Sequence, residues 1–417
     1  MAARPETTRS NFWPARPRAS DDAADAARFF SRIGYAVLAI GAPLGVVLHP
    51  FGLFFVFPIG VALILMAAAL DDEPGFVGRA QAALRQPPFV ALLAGLGWAA
   101  LSLLWTPYPV SAAQHVLKLA ALIAATWAAV AAPRENARAT DVYLFPIGVV
   151  LLMAAIAAKS LMNALAGAPD DMTPAAGALA LAVLLFPALG GLTARARNGY
   201  ARLLLILALG FAYADGAASL TVALFAGYLA LSFAISDLGR TARELAWAAA
   251  ALVVLCPLIP AFAPTVTAWI FGVKLATLPP PYSTLSVAAD IFTHDKVRLI
   301  TGHGFETVAR GVRGGVLPMQ TPRAFAFTVW YELGIVGAAI AAAGLWSAFR
   351  GIISAPPRLA PYMTAGLTAI VALAFVHVDF SDMTPLTLIA VAIIATDVAA
   401  RSQYRTTRPS AAGLANL

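Results

Sequence analysis

Basic side chains that could bind phosphate are concentrated in one hydrophilic stretch late in the chain, residues 273–323. Two of its arginines, Arg310 and Arg313, stand three residues apart in a glycine-rich segment. Guanidinium groups hold phosphates and diphosphates through paired hydrogen bonds. The pattern predicts a site for a phosphate-bearing substrate, and anionic lipid headgroups are the alternative ligand. The predicted substrate-binding residues are Arg298, Arg310, Arg313 and Arg323.

Three residues, one within this stretch and two after it, could accept or donate a proton. His303 lies between two glycines in TGHGFET, a sequence typical of an exposed tight turn. Imidazole is the side chain whose charge changes most readily near neutral pH, so His303 is a predicted general base, with a polar turn residue as the alternative. Glu332 in VWYELG and His377 in FVHVDFSD lie in apolar segments near a membrane surface, where ionisable groups are functional candidates. The predicted catalytic residues are His303, Glu332 and His377.

No metal or nucleotide motif accompanies these residues. The five histidines are scattered, and no Cys/His or Asp/Glu cluster has the spacing of metal ligands. The sequence also lacks a Walker loop, a dinucleotide fingerprint and an HExxH motif. We therefore expect no metal and no cofactor, and a reaction here would have to use an activated donor already in the membrane.

The elements that position these residues are predicted to lie in a membrane. The chain has 417 residues, is 60% hydrophobic and only 12% charged, and has a mean hydropathy of +0.79. A soluble domain carries roughly 25% charged residues, so soluble folds are excluded. The net charge of +7 does not indicate nucleic-acid binding, because the basic residues fall in short gaps between apolar runs. The predicted fold class is an all-α polytopic transmembrane bundle of about twelve helices with one large periplasmic loop.

The apolar runs divide the chain into tails, spans and a loop. A membrane-spanning helix needs about 20 apolar residues. The close pairs of runs within 33–70 and 203–236 could instead be re-entrant or tilted. The loop is predicted to contain an amphipathic surface helix at Leu285–Phe292. The regions are a disordered cytoplasmic tail at 1–32, nine spans within 33–272, a periplasmic loop at 273–323, three spans within 324–400 and a cytoplasmic tail at 401–417. The twelve predicted spans are 33–49, 51–70, 89–105, 116–132, 142–165, 173–193, 203–219, 220–236, 246–272, 324–349, 363–380 and 383–400.

The distribution of positive charge predicts the orientation. With the N-terminus in the cytoplasm, most of the 28 Lys and Arg residues fall in cytoplasmic segments, as the positive-inside rule requires. The stretch 273–323 breaks this rule on the opposite side, and the five histidines fall on that side too. We therefore expect a protein of the bacterial inner membrane with both termini in the cytoplasm and its chemistry at the periplasmic face.

Two segments resemble a known family. The late loop has a GxG turn after its surface helix and is followed by a helix reading ELGIVGA, and residues 102–122 read SLLWTPYPVSAAQHVLKLAAL. This arrangement is similar to that of the O-antigen ligase and polymerase superfamily of bacterial polysaccharide assembly. The resemblance implies a metal-independent inverting glycosyltransferase that moves a glycan from undecaprenyl diphosphate onto lipid A–core or a growing polysaccharide. It also implies that arginines hold the diphosphate and that a histidine activates the acceptor hydroxyl.

The sequence departs from that pattern at two places. The family usually has a His-Asn pair about nine residues before Glu-Leu-Gly, where this chain has Arg323 and Ala324. An Arg-x-x-x-Trp near the start of the surface helix is replaced by STLSVAAD. Arg310 fits an arginine that follows the GxG turn in many members, and His303 is the candidate to replace the missing histidine. A lipid-carrier-binding homologue without catalysis and a transporter or flippase are the remaining alternatives.

Overall fold

The structure is a computed structural model, and it describes residues 21–70, 76–132, 139–166, 173–215, 218–271, 282–294, 298–376 and 382–402. Every regular element in these ranges is helical, including a short π-helical turn at Val37–Gly41 and a 3-10 turn at Ser102–Leu104. The α-helices are α1 Asp21–Ala36, α2 Ala42–Leu48, α3 Gly52–Leu70, α4 Phe76–Leu84, α5 Pro87–Leu101, α6 Pro109–Ala131, α7 Ala139–Ala166, α8 Thr173–Ala194, α9 Asn198–Asp215, α10 Ala218–Ser236, α11 Leu238–Val254, α12 Leu258–Phe271, α13 Tyr282–His294, α14 Arg298–Thr301, α15 Thr307–Arg313, α16 Phe325–Ile352, α17 Ala360–Val376 and α18 Met383–Ser402.

Where the structure describes them, the predicted spans fall on helices, and the span 246–272 is divided between α11 and α12. Within the described ranges, nine helical segments are long and apolar enough to cross a membrane. The pair α11 and α12 forms a further candidate that is bent by 73°, and α9 and α17 are shorter apolar helices. An all-α architecture with several membrane-spanning helices is therefore confirmed. The total of twelve crossings and the periplasmic position of the loop stay predictions.

The first helix begins earlier than the sequence analysis predicts. The predicted disordered tail includes residues 21–32, but these residues form the first turns of α1. The segment DDAADAARFF places aspartates at the positive N-terminal end of the helix dipole and is rich in alanine, the best helix former. An ion pair between Arg28 and Asp25 adds support within the helix. Residues 1–20 lie outside the described ranges.

The centre of the bundle is α8. It is almost completely buried, and it packs against α7, α17 and α18. Phe186, Leu185 and Leu189 of this helix are fully enclosed. Because lipid tails are as apolar as these side chains, close van der Waals packing rather than exclusion from water holds such helices together. Of the predicted site residues that the structure describes, Glu332 lies in α16 and the others lie in the segment between α13 and α16, away from this core.

The bundle has two helix breaks, one between α11 and α12 and one within α16. An indole N–H donates a hydrogen bond at each break. The Trp330 Nε1–H donates to the carbonyl of Val253, at the end of α11, over 2.7 Å. The backbone of Gly334 interrupts α16 with φ 65° and ψ −160°, and the Trp98 Nε1–H donates to the carbonyl of Leu333 over 2.9 Å. An unpaired carbonyl in an apolar region is unfavourable, so Trp98 stabilises the break in α16. The Val253 carbonyl also accepts from the Cys256 N–H at 3.4 Å, so Trp330 is an additional donor at the end of α11.

The hydrophilic stretch contains three short helices. The predicted amphipathic helix is present as α13, where Ala288 and Phe292 are buried and Asp290 is exposed. Its predicted location on the membrane surface stays a prediction. The helices α14 and α15 follow it, and the turn that joins them contacts the break in α16.

Candidate functional site

The turn that contains His303 is docked on the broken helix α16. The break at Gly334 leaves backbone carbonyls without their usual helical donors. The His303 N–H donates to the carbonyl of Tyr331 over 2.8 Å, and the Gly304 N–H donates to the carbonyl of Glu332 over 2.9 Å. The loop and the helix therefore complete each other's backbone hydrogen bonding, which fixes the turn on the bundle.

The two glycines of the turn are required by close backbone contacts. Gly302 has φ +75°, and a Cβ atom there would lie 2.2 Å from the carbonyl oxygen of Glu332. Gly304 has φ +96°, and a Cβ atom there would lie 2.5 Å from the Cα atom of Thr106. Both glycines are buried. The expectation of an exposed tight turn around His303 is therefore wrong, because the carbonyls at the helix break draw this turn into the bundle.

His303 itself is half-buried and held in one orientation. Its ring stacks on the ring of Tyr331 with centroids 4.0 Å apart and planes 7° apart. Its Nδ1 atom lies 3.0 Å from the carbonyl oxygen of Tyr331. Because a carbonyl oxygen only accepts hydrogen bonds, Nδ1 carries the proton, and Nε2 is the basic nitrogen of the neutral ring. This geometry suits a general base.

Glu332, a predicted catalytic residue, is placed as a positioning residue. Its side chain is only 2% exposed. Its Oε2 accepts a hydrogen bond from the Glu306 N–H at 3.0 Å, and its Oε1 accepts one from the Val308 N–H at 2.9 Å. These donors belong to the start of α15, whose first N–H groups have no partner within that helix. Glu332 therefore fixes α15 to α16.

Glu306 was not among the predicted residues, yet it links two parts of the site. It is buried and has φ +69°, a strained value for a residue with a side chain. Its Oε1 lies 2.7 Å from Nδ1 of His115, and its Oε2 accepts from Nε of Arg310 at 3.3 Å. One carboxylate thus joins a buried imidazole of α6 to an arginine of α15.

The ionisation of Glu306 follows from these partners. Burial raises the pKa of its carboxyl group, but the hydrogen bond from His115 and the charges of His115 and Arg310 lower this pKa by more. The pKa of Glu306 consequently lies below its ordinary value. The carboxylate therefore contributes to loop docking at neutral pH, and this contribution is lost only as the pH falls through the lowered pKa.

His115 is the second residue that the sequence analysis left without a role. It is 8% exposed and lies edge-on to the ring of Phe305 at a centroid distance of 5.4 Å. Because Nδ1 faces the Glu306 carboxylate, it carries a proton, and Nε2 is the other ring nitrogen. Among the residues that the structure describes, none forms a hydrogen bond with this Nε2 atom.

The predicted arginines lie on three segments. Arg310 and Arg313 are both exposed on α15, and their spacing of three residues places them on one face of that helix. Arg298 is exposed at the start of α14, and Arg323 is exposed just before α16. Of the four, Arg310 is tied to the docked turn through Glu306. Hydrogen bonds to α16 therefore connect the turn that contains His303 with Glu332, and Glu306 connects both to Arg310.

His377 and its neighbour Asp379 lie outside the described residues. Within the part of the chain that the structure describes, no group of three or more His, Cys, Asp or Glu side chains could hold a metal ion.

Comparison of the chain with protein-family models, with curated proteins and with solved structures gives no match.

Proposed function

We propose that this chain is an inner-membrane glycosyltransferase of the O-antigen ligase type. It transfers a glycan from undecaprenyl diphosphate to a hydroxyl of lipid A–core or of a polysaccharide at the periplasmic face. The observation that carries the proposal is the shared carboxylate of Glu306. This carboxylate orients Arg310, a candidate phosphate ligand, beside the docked turn that holds His303.

The exposed face of α15 is the proposed site for the diphosphate of the donor. Arg310 and Arg313 present two guanidinium groups on this face. Each group carries several N–H donors, so Arg310 can bind a phosphate through its terminal nitrogens while Nε remains bonded to Glu306. A guanidinium held by a carboxylate is preorganised, which reduces the entropy lost on binding.

The proposed reaction is a single displacement. The acceptor hydroxyl oxygen bonds to the anomeric carbon of the glycan, and the bond between that carbon and the diphosphate oxygen breaks. The bonding electron pair leaves with the lipid diphosphate, whose charge the arginines stabilise. Nε2 of His303 takes the proton of the hydroxyl. Because the lipid diphosphate is itself the leaving group, the reaction requires no nucleotide and no metal.

Specific observations favour each of the two alternative functions. The replacement of the family's His-Asn pair by Arg323 and Ala324 favours a homologue that binds the lipid carrier without catalysis. The bend between α11 and α12 and the break within α16 favour a transporter, because transporters use discontinuous helices at their substrate sites. The helices α11 and α16 also pack against each other. Both alternatives predict an absence of glycan transfer.

Replacing Arg310 with alanine is expected to reduce glycan transfer by about 10- to 100-fold, because a charge-assisted hydrogen bond contributes about 1.5–3 kcal/mol. The measurement is transfer from undecaprenyl-diphosphate-linked glycan to acceptor by the purified chain in proteoliposomes. Arg240→Ala is the matched control, because Arg240 also pairs with a glutamate four residues away but on the exposed surface of α11. Its transfer rate should equal that of the unmodified chain.

The same preparation distinguishes the alternatives. Equal transfer by the Arg310→Ala and Arg240→Ala variants would contradict the proposed role of α15. Binding of the lipid diphosphate without turnover would select the carrier-binding homologue. Movement of the lipid-linked glycan across the proteoliposome membrane without transfer to an acceptor would select the transporter.

A further inference from the structure

The turn that follows α15 exposes two large apolar side chains. Val316 is 74% exposed and Met319 is 83% exposed. Leu317 between them points the other way, and it packs against the backbone of Gly311 and the apolar cluster beneath. We refer to residues 314–320 as the apolar tip. These two side chains project outward from the same turn.

The backbone of the apolar tip is fixed independently of these two side chains. The Val316 and Leu317 N–H groups both donate to the carbonyl of Gly311, at 2.8 and 3.0 Å. The N–H and hydroxyl of Thr321 both donate to the carbonyl of Pro318, at 3.0 and 2.7 Å. The tip is therefore preformed, and binding through Val316 and Met319 would lose little conformational entropy.

The charge beside the tip indicates what it binds. Arg310 and Arg313 are exposed on the helix that leads into the tip, residues 307–323 include no Asp or Glu, and Glu306, which pairs with Arg310, is buried. Apolar side chains flanked by arginines are typical of segments that lie in the interfacial layer of an anionic membrane. The tip also lies only a few residues before α16, a candidate membrane-spanning helix, so a bilayer surface is close by.

We propose that the apolar tip inserts Val316 and Met319 into the bilayer surface and thereby holds Arg310 and Arg313 at the level of the lipid phosphates. Its occupant is the lipid of the membrane that the chain itself spans. Only one part of this inference rests on the proposed function, namely that these phosphates include the diphosphate of the glycan carrier. For such a donor, the anchor lets the arginines bind the headgroup while the prenyl chain stays in the bilayer.

The depth of the tip can be measured with spin labels on the full chain. The single native cysteine is replaced by Cys256→Ser, and a label is attached at Gln320→Cys, an exposed polar position next to Met319. The chain is reconstituted in liposomes of phosphatidylethanolamine and phosphatidylglycerol, and the accessibility of the label to oxygen and to an aqueous nickel complex is compared. We expect an oxygen-to-nickel ratio several-fold above that at Ser354→Cys, an exposed control in the turn after α16. A label at Phe225→Cys, exposed within α10, marks the fully lipid-facing limit.

A second variant tests whether the apolar side chains cause the insertion. In the double substitution Val316→Ser and Met319→Ser, the ratio at position 320 is expected to fall to that of Ser354→Cys. Because both side chains are exposed, these changes should leave the melting temperature unchanged. A ratio at position 320 that equals the aqueous control in the parent chain, or that persists in the double variant, would overturn the proposal. A label at position 320 that neither oxygen nor the nickel complex reaches would overturn it in favour of a protein contact.

These outcomes are independent of catalysis. A tip in water together with Arg310-dependent transfer would remove the membrane anchor and leave the glycosyltransferase proposal intact. A tip in lipid without transfer would support the membrane anchor and contradict the glycosyltransferase proposal.

Discussion

Replacing Gly334 with alanine is expected to destabilise the docked loop by at least about 3 kcal/mol. Its φ and ψ lie in a region that is essentially restricted to glycine. A Cβ atom there would also lie 2.4 Å from the carbonyl oxygen of Ile300 and 2.7 Å from the Gly302 nitrogen. Both contacts are with backbone, so the turn must move away from the helix. We expect a lowered melting temperature and faster proteolysis between α13 and α16.

Gly351→Ala is the matched control for this variant. Gly351 lies in the last turn of the same helix, and a Cβ atom there would have no neighbour within 4 Å. An alanine in that position should be neutral or stabilise the helix by up to about 1 kcal/mol. If the two variants melted at the same temperature, the docking of the turn on the helix break would be wrong.

Replacing Glu332 with leucine is expected to have the second large effect. The change leaves the Glu306 and Val308 N–H groups without their acceptor in a buried place. Each buried N–H group without an acceptor costs about 1–3 kcal/mol of folding free energy, so we expect the two groups to lower stability by about 2–6 kcal/mol. Because α15 carries Arg310 and Arg313, transfer activity should be lost together with the fold of this region.

A glutamine at position 332 separates a positioning role from an acid–base role. The amide oxygen of Glu332→Gln can accept one of the two N–H groups, so its melting temperature should lie between those of the native and leucine proteins. Activity should follow stability across the series. A glutamine variant with native stability and no activity would instead identify Glu332 as an acid–base group. Glu244→Gln, at an exposed ion pair, is the control and should leave both properties unchanged.

Local patterns were sufficient to predict the long apolar helices and the amphipathic helix. Apolar runs of about 20 residues in a chain with few charges predict membrane-spanning helices. Within the bilayer core, a helix of this length satisfies all of its backbone hydrogen bonds internally. The helix at Leu285–Phe292 followed from its two-faced pattern and is present within α13. The paired arginines were visible because both lie within one short helix, α15. In each case, the interacting residues are close in sequence.

The tertiary contacts of the site could not be predicted from one sequence. His115 and Glu306 belong to segments far apart in the chain, and no spacing rule relates them. The break in α16 gave no signal beyond the glycine in ELG, because a glycine inside an apolar helix is also common in regular spans. Without that break, the turn around His303 had no reason to be buried, and Glu332 had no reason to be a backbone acceptor.

The break also explains why a chain so apolar can hold a polar site. Transmembrane helices normally satisfy their own backbone hydrogen bonds. At Gly334, the carbonyls of Tyr331, Glu332 and Leu333 accept instead from the docked turn and from Trp98. The loop residues are thereby held at the end of the bundle by backbone bonds as well as by side chains. Such a preorganised site is what phosphate binding and proton transfer require.

The side of the membrane on which this site lies tests the account most directly. The helix after Gly334 is about 27 Å long, close to the hydrocarbon thickness, so its two ends should face opposite compartments. Thr301→Cys and Ser354→Cys, both exposed and near these two ends, can be labelled in a Cys256→Ser background with a membrane-impermeant maleimide in spheroplasts. We predict labelling of position 301 in intact spheroplasts and of position 354 only after lysis. The reverse pattern would place the arginines and His303 in the cytoplasm and would contradict a periplasmic glycosyltransferase.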